Sequence, residues 1–270
     1  MQKFENLTSL NFDDCKLLTR IPDVSDLQNL EKLSFEWCES LTAVHDSVGF
    51  MTKLKILSAE GCSKLTSFPP LHLTSLERLE LSYCSSLENF PQILGNMKNI
   101  KRLELINLPI KELLNSFQNL TGLKNLLVNC DFVWLSSIFM TPELSDFRVY
   151  NCKGWEWEKP EETQEQMGSI VSSKLDDFMA LSCNLNDDFL STGFTQLAHV
   201  SYLWLQESDI TFLLDVSDCK LLQEIRGVPP KLKNFKAKNC TSLTSSGSSV
   251  LLNQVFAVFN EFDLITDSFI

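Results

Sequence analysis

Leu7 to Asn29 reads LTSLNFDDCKLLTRIPDVSDLQN and Leu30 to Lys53 reads LEKLSFEWCESLTAVHDSVGFMTK, so the chain opens by writing one pattern twice. Both lines carry L-x-x-L-x-F-x-x-C-x-x-L-T before a looser apolar stretch. Leu54, Leu57, Ala59 and Cys62 start a third line, and Leu76, Leu79, Leu81 and Cys84 a fourth, at steps of 23, 24 and 22 residues. Weaker lines follow at Ile100, Leu103 and Leu105, with Leu108 in the cysteine's place, and at Leu123, Leu126 and Val128, where Cys130 comes one residue early. The spacing returns at Leu144, Phe147, Val149 and Cys152, at Leu175, Phe178, Ala180 and Cys183, and at Leu232, Phe235, Ala237 and Cys240. Val200, Leu203 and Leu205, then Val216 and Cys219, lie between the last two. A fixed period of this kind marks an array in which each unit buries its apolar side only against its neighbours.

The steps lie within the roughly 20 to 29 residues of leucine-rich repeats. In the L-x-L core of each line, alternation sends Leu10 and Phe12 inward and Ser9, Asn11 and Asp13 outward. The expected fold is an α/β repeat, a curved leucine-rich repeat solenoid with a parallel sheet on its concave side and a mostly irregular or short-helical convex side. Ten strands at about 4.8 Å each give a face about 50 Å long. One array of about ten repeats is expected over residues 1–254, incomplete near 206–214, where Val200 leads to the next repeat's Val216 in 16 residues. Residues 255–270 form a tail outside the pattern.

All nine cysteines are in phase with the repeat, so metal ligation, a disulfide framework and burial compete to explain them. The nearest two, Cys219 and Cys240, are 21 residues apart, so the C-x-x-C pairs of zinc sites are absent, and only His45, His72 and His199 are available to help. Cysteines stacked on successive strands sit about 4.8 Å apart with parallel vectors, which does not suit a disulfide. The remaining reading is a compact side chain that turns inward after the strand and offers a weak S–H donor to backbone carbonyls. No metal or cofactor site is assigned.

With 23 basic and 35 acidic residues the net charge is −12, which disfavours nucleic acid and anionic membrane as partners. No segment reaches the roughly 18 apolar residues of a membrane span. The stretch Phe132 to Met140 is short and interrupted by Ser136 and Ser137. The first residues lack both an apolar signal core and the character of a transit peptide. G-x-S-x-G, H-E-x-x-H and the kinase motifs are absent, so no enzyme activity or catalytic residue is assigned.

A protein or small-molecule partner is the natural expectation, and the outward strand positions are where a protein would bind. Asp13, Glu36 and Glu60 form an acidic column, joined one outward position earlier on the next rungs by Glu80 and Glu104. Leu127, Arg148, Tyr150 and Trp204 follow as large residues, and Lys236 stands near the end in a basic group with Lys233 and Lys238. Cys152 to Lys174 is a glutamate-rich insertion with Trp155 and Trp157 that lengthens its repeat to 31 residues, expected as a surface loop.

The phrases LTSLNFDDCKLLTRIPDVSDLQNLEKLSFEWCESL and LLDVSDCKLLQEIRGVPPKLKNFKAKNCTSLTSS resemble the C-terminal leucine-rich repeats of plant nucleotide-binding disease-resistance proteins that begin with a Toll-type domain. The resemblance covers about Phe4 to Gln254. It implies a module of an intracellular immune receptor, cytoplasmic or nuclear, that senses pathogen molecules and restrains the nucleotide-binding switch. Its implied partners are a pathogen effector, a guarded host protein or the receptor's own nucleotide-binding domain. No glycine is followed by lysine, so no phosphate-binding loop accompanies the repeats, and neither does a Toll-type domain, so the chain is expected to be a truncated form. The tail Val255 to Ile270 resembles nothing in that family and is expected as an intron or gene-model product. The alternatives are the substrate adaptor of a ubiquitin ligase with F-box-like repeats, a secreted inhibitor or receptor ectodomain, and a non-functional truncated gene product.

Overall fold

A strand that recurs once per turn of a repeat array runs the same way on every rung, so it pairs in parallel with its own copies. The computed structural model of this chain describes residues 4, 6–110, 113–134, 138, 141–156, 174–183, 185, 199–206, 208, 210, 213–227 and 232–243. Most of the glutamate-rich insertion, including Trp157, and the whole 255–270 tail lie outside them. The chain forms two compact units, residues 1–144 with 156–172, and residues 145–155 with 173–270.

The first unit carries β1 (Ser9–Asn11), β2 (Arg20–Ile21), β3 (Lys32–Ser34), β4 (Ala43–Val44), β5 (Ile56–Ser58), β6 (Arg78–Glu80), β7 (Arg102–Ile106), β8 (Asn125–Asn129) and β9 (Phe132–Trp134). β1, β3, β5 and β6 pair in parallel in that order, with Leu10, Leu33, Leu57 and Leu79 in register. β7 and β8 pair likewise, aligning Leu103 with Leu126 and Leu105 with Val128. Leu33 and Leu57 are fully buried, whereas Leu10, on the edge strand, is only half-buried. β6 and β7 belong to different ladders, and a side chain bridges them: the buried Ser82 hydroxyl donates to the Glu104 carbonyl at 3.2 Å and accepts from the Ile106 N–H at 3.3 Å.

The return segments carry their own column, in which β2 pairs with β4 and Leu71 bridges Ile93. Two short 3₁₀ helices lie in these segments, Asp46–Phe50 and Asn115–Asn119. The first begins where the His45 ring accepts the Ser47 N–H, one of the donors that a helix start leaves free.

The second unit holds β10 (Asp146–Tyr150), β11 (Gly154–Glu156, at its edge), β12 (Asp177–Leu181), β13 (Tyr202–Trp204), β14 (Leu213–Asp215), β15 (Glu224–Arg226) and β16 (Asn234–Lys236). β10, β12, β13 and β15 pair in parallel, while β14 pairs separately with β16. Leu203 therefore faces Ile225, 22 positions on, the same step that separates Leu57 from Leu79. The close spacing of Val200 and Val216 follows from this pairing, because β14 continues a different ladder from β13. Gly227 permits it: its φ is +67°, and a Cβ there would lie 2.7 Å from the Gln206 backbone nitrogen.

Most rungs turn the same corner after their strand. A residue in the left-handed region comes first: Asp14, Trp37, Gly61, Tyr83, Asn107, Asn151, Ser182 and Asp218. Their N–H groups donate to a carbonyl of the next rung, as in Asp14 to Glu36 (2.9 Å), Trp37 to Glu60 (2.7 Å), Gly61 to Ser82 (2.9 Å) and Tyr83 to Ile106 (2.8 Å). The cysteine that follows points inward and donates backwards: Cys38 to the Phe12 carbonyl, Cys62 to Phe35 and Cys84 to Ala59, all at 3.1 Å, and Cys240 to Val216 at 3.0 Å.

Burial pushes the Cys38, Cys130 and Cys219 thiols up to about 11. Contact with Cys84 and burial raise Cys62 as well. At pH 8 a thiol with that pKa is ionised in only about one molecule in a thousand, and the thiolate is the reactive form. Cys15, on the first rung, is exposed, and Cys240, on the last described one, is half-buried. Native thiol labelling with a chromogenic disulfide should show one fast equivalent that disappears in Cys15→Ser, a slower one at Cys240, and seven that wait for denaturant. Fast reaction of most of the nine would contradict the inward corner.

Candidate functional site

The outward positions of the first unit form one hydrogen-bonded chain across rungs. Register places Asn11, Ser34, Ser58 and Glu80 in one row. The Ser34 hydroxyl donates to Asp13 at 2.5 Å, and Asp13 also accepts the Glu36 N–H at 2.8 Å and the Asn11 amide at 2.7 Å. Ser58 lies 2.7 Å from both Glu36 and Glu80. A hydroxyl carries one proton, so Ser58 donates to only one of these carboxylates at a time. Arg78 grips Glu80 through Nε at 2.7 Å, and Arg102 grips Glu104 at 2.8 Å. These pairs arise because residues two apart on a strand share a face. Leu127 lies beside Glu104 in register and is half-buried.

Asp13 keeps a pKa below the ordinary carboxylate range: partial burial opposes this, but the bonds from Ser34, the Glu36 N–H and Asn11 outweigh it. Glu60 goes the other way. Desolvation raises it first, and the neighbouring charges of Glu80, Glu36 and Glu104 add to that, with Arg78 opposing. Among the described residues no hydrogen bond reaches the Glu60 carboxylate.

In the second unit, Arg148, Met179, Trp204 and Arg226 form a row by register. Arg148 is held by Asp146 at 2.8 Å, and the Tyr150 hydroxyl lies 3.5 Å from the Met179 sulfur. The guanidinium of Arg226 sits 4.3 Å from the centre of the Trp204 ring and is bonded to Glu224 at 2.7 and 3.1 Å. Lys236 is not in this row: it belongs to the β14–β16 ladder, with its ammonium 3.9 Å from Asp215.

Several residues of these faces carry no signal in a leucine pattern. Ser34, Ser58 and Ser82 read as arbitrary outward residues, yet all three are buried polar groups. Trp37 and Tyr83 read as loop residues after the strand, yet their side chains stand exposed beside the acidic column. On the return side Asp23, His45 and Ser47 converge, but Ser47 and Asp23 both approach the same ring nitrogen, at 2.9 and 3.7 Å. A nucleophile and an orienting carboxylate must sit on opposite nitrogens to form a relay, so this trio is a helix cap. Among the described residues no group of three or more His, Cys, Asp or Glu is arranged to hold a metal ion, and no helix is long and apolar enough to cross a membrane.

The sequence profile of the family described as "Disease resistance protein RPS4B-like, leucine-rich repeats" matches residues 72–191. The TMV resistance protein N of Nicotiana glutinosa is 33% identical over 176 residues, 64% of this chain and 15% of that protein. Disease resistance protein RPS4B of Arabidopsis thaliana is 26% identical over 209 residues, 70% of this chain and 16% of that protein. The chain thus spans about 15% of the length of these relatives. Among solved structures, the functional domain of InlJ from Listeria monocytogenes, which includes a cysteine ladder, aligns with a TM-score of 0.37 at 18% identity, covering 88% of this chain and 55% of that one.

The acidic column makes stability depend on pH. Because folding raises the Glu60 pKa, the native state favours the protonated side chain. That contribution is complete below the unfolded pKa and is lost as pH rises through the folded one. Glu60→Gln should therefore stabilise the protein at pH 7 by up to about 1 kcal/mol, the scale of like charges opposed across strands. The gain should vanish as pH falls to the unfolded carboxylate range. Thermal melts of both proteins across that window check this, and a gain independent of pH would contradict the assignment.

Proposed function

We propose that this chain, whose repeats are of the kind found in plant disease-resistance proteins, is the recognition and regulatory module of an intracellular immune receptor. Its partner is a protein: a pathogen effector, a guarded host protein, or the receptor's own nucleotide-binding domain held inactive. The observation that carries this reading is the cross-rung chain of Asp13, Ser34, Glu36, Ser58 and Glu80. Parallel, in-register pairing puts side chains more than 20 residues apart in sequence into one surface that runs over four rungs, whereas the described return segments pair only two at a time, β2 with β4 and Leu71 with Ile93. Such a surface is fixed before a partner arrives, which reduces the ordering cost of binding.

The proposal also assigns a cytoplasmic or nuclear site of action, where the cysteine corners stay reduced. A receptor carrying this array with Glu60, Leu127 and Tyr150 replaced by alanine should accumulate normally but lose pathogen-triggered cell death in leaf tissue, or signal without a trigger. The same receptor with return-side Asp23, Asp46 and Gln92 replaced should behave as the parent. If the return-side set alone changes signalling, the partner site lies off the strand face.

A further inference from the structure

Beside the acidic column stands an aromatic ledge. Trp37 and Tyr83 are both in the left-handed region, with φ of 55° and 64°. That conformation costs a bulky residue about 1–2 kcal/mol relative to glycine. Asp14, Gly61, Asn107, Asn151, Ser182, Asp218 and Asn239 fill the same corner elsewhere, all small residues and, apart from Ser182, types that tolerate it. The backbone there is pinned by the N–H bonds to the next rung, so the two large side chains are not needed to form the turn. Nor do they fill the core: Trp37 is 43% exposed and Tyr83 is 40% exposed. Gly61, on the rung between them, leaves the space they use. A Cβ on Gly61 would lie 2.4 Å from the Trp37 ring, which therefore lies over the glycine and comes within 6.1 Å of the Tyr83 ring, centre to centre.

We propose that the Trp37–Tyr83 ledge is a docking surface for an arginine- or lysine-bearing stretch of a partner polypeptide. The inference deepens the strand-face reading above by naming the partner's chemistry, and it rests on that reading for its place in a receptor. Charge complementarity selects the occupant. Glu36 precedes Trp37 and Glu60 precedes Gly61, and the Trp37 N–H bonds the Glu60 carbonyl at 2.7 Å, so both acidic residues belong to the corners that carry the ledge. The arginines of this face are already engaged, Arg78 by Glu80 and Arg102 by Glu104. Asp13 and Glu36 are met by hydroxyl, amide and N–H donors, which leave their charge in place. A cation over an aromatic face with a carboxylate at its edge gains from both. The chain uses this arrangement internally in its second unit, where Arg226 stacks on Trp204 while Glu224 holds the guanidinium. At the ledge the tryptophan and the carboxylates are present and the guanidinium comes from outside.

The test uses the full chain and a fluorescein-labelled nonapeptide of three Arg-Gly-Gly repeats, read by fluorescence anisotropy at physiological salt, with a Glu-Gly-Gly peptide alongside. The arginine peptide should bind and the glutamate peptide should not. Trp37→Ala should weaken binding about three- to tenfold. Trp37→Leu, which keeps apolar bulk without a ring, should weaken it similarly, and Tyr83→Ala and Glu60→Gln should weaken it less. Phe50→Ala, an aromatic 54% exposed on a 3₁₀ helix of the return side, should have no effect. Equal binding by the ledge variants and the parent would overturn the proposal, since attraction to a net charge of −12 would then suffice. So would self-association of the parent, measured by sedimentation, that Trp37→Ala abolishes, because a second copy would then be the occupant. Loss of peptide binding without loss of receptor signalling would sink the strand-face reading and leave the ledge standing; the reverse pattern would do the opposite.

Discussion

The structure depends on a corner that uses its polar groups in two directions. At the corners after β3, β5, β6 and β12 one residue enters the left-handed region and gives its N–H to the rung ahead, while the cysteine after it gives its S–H to the rung behind. A buried N–H without a partner costs on the order of 1–3 kcal/mol, so closing the turn and stacking the next rung are one event. The cysteine fits because it is small, mostly apolar and carries a single weak donor. Leu108 takes its place on one rung, buried to 3% exposure, and there the corner holds by Asn107's N–H and apolar packing alone.

Fixing the corner fixes the face beside it. Once Leu10, Leu33, Leu57 and Leu79 are in register, the residues next to them have no freedom to move apart, and like charges stack on like charges. The serines separate some of these carboxylates and give Asp13, Glu36 and Glu80 a donor, but Glu60 is left among acids. Trp37 and Tyr83, on rungs of the same sheet, occupy backbone positions that bulky side chains disfavour, and neither fills the core.

Much of this was legible in the sequence, for a physical reason: a repeating unit must bury the same stripe each time, so leucine and cysteine phase carry the fold. Ladder membership was harder to read. Val216 and Cys219 keep the cysteine offset and read as the rung after Leu203, yet Leu203 pairs with Ile225 and Leu214 with Phe235. A cysteine offset reports where a corner lies and is silent on which strand its neighbour will be. The ledge did have a signal. Most residues preceding a cysteine are Asp, Gly, Asn or Ser, so a tryptophan and a tyrosine at that point are the exceptions to explain. The serine bridges had none, because a buried serine and an exposed one are written alike.

Native-state amide hydrogen exchange at Trp37, Gly61, Tyr83 and Asn107 tests the corner most directly. Their side chains or flanking loops face solvent, but their N–H groups are bonded to the next rung, so they should exchange as slowly as the strand amides of Phe35 and Ala59. Exchange at the rate of open loops, with the strands still protected, would show that the corners do not join the rungs and that the sheet stacks without them.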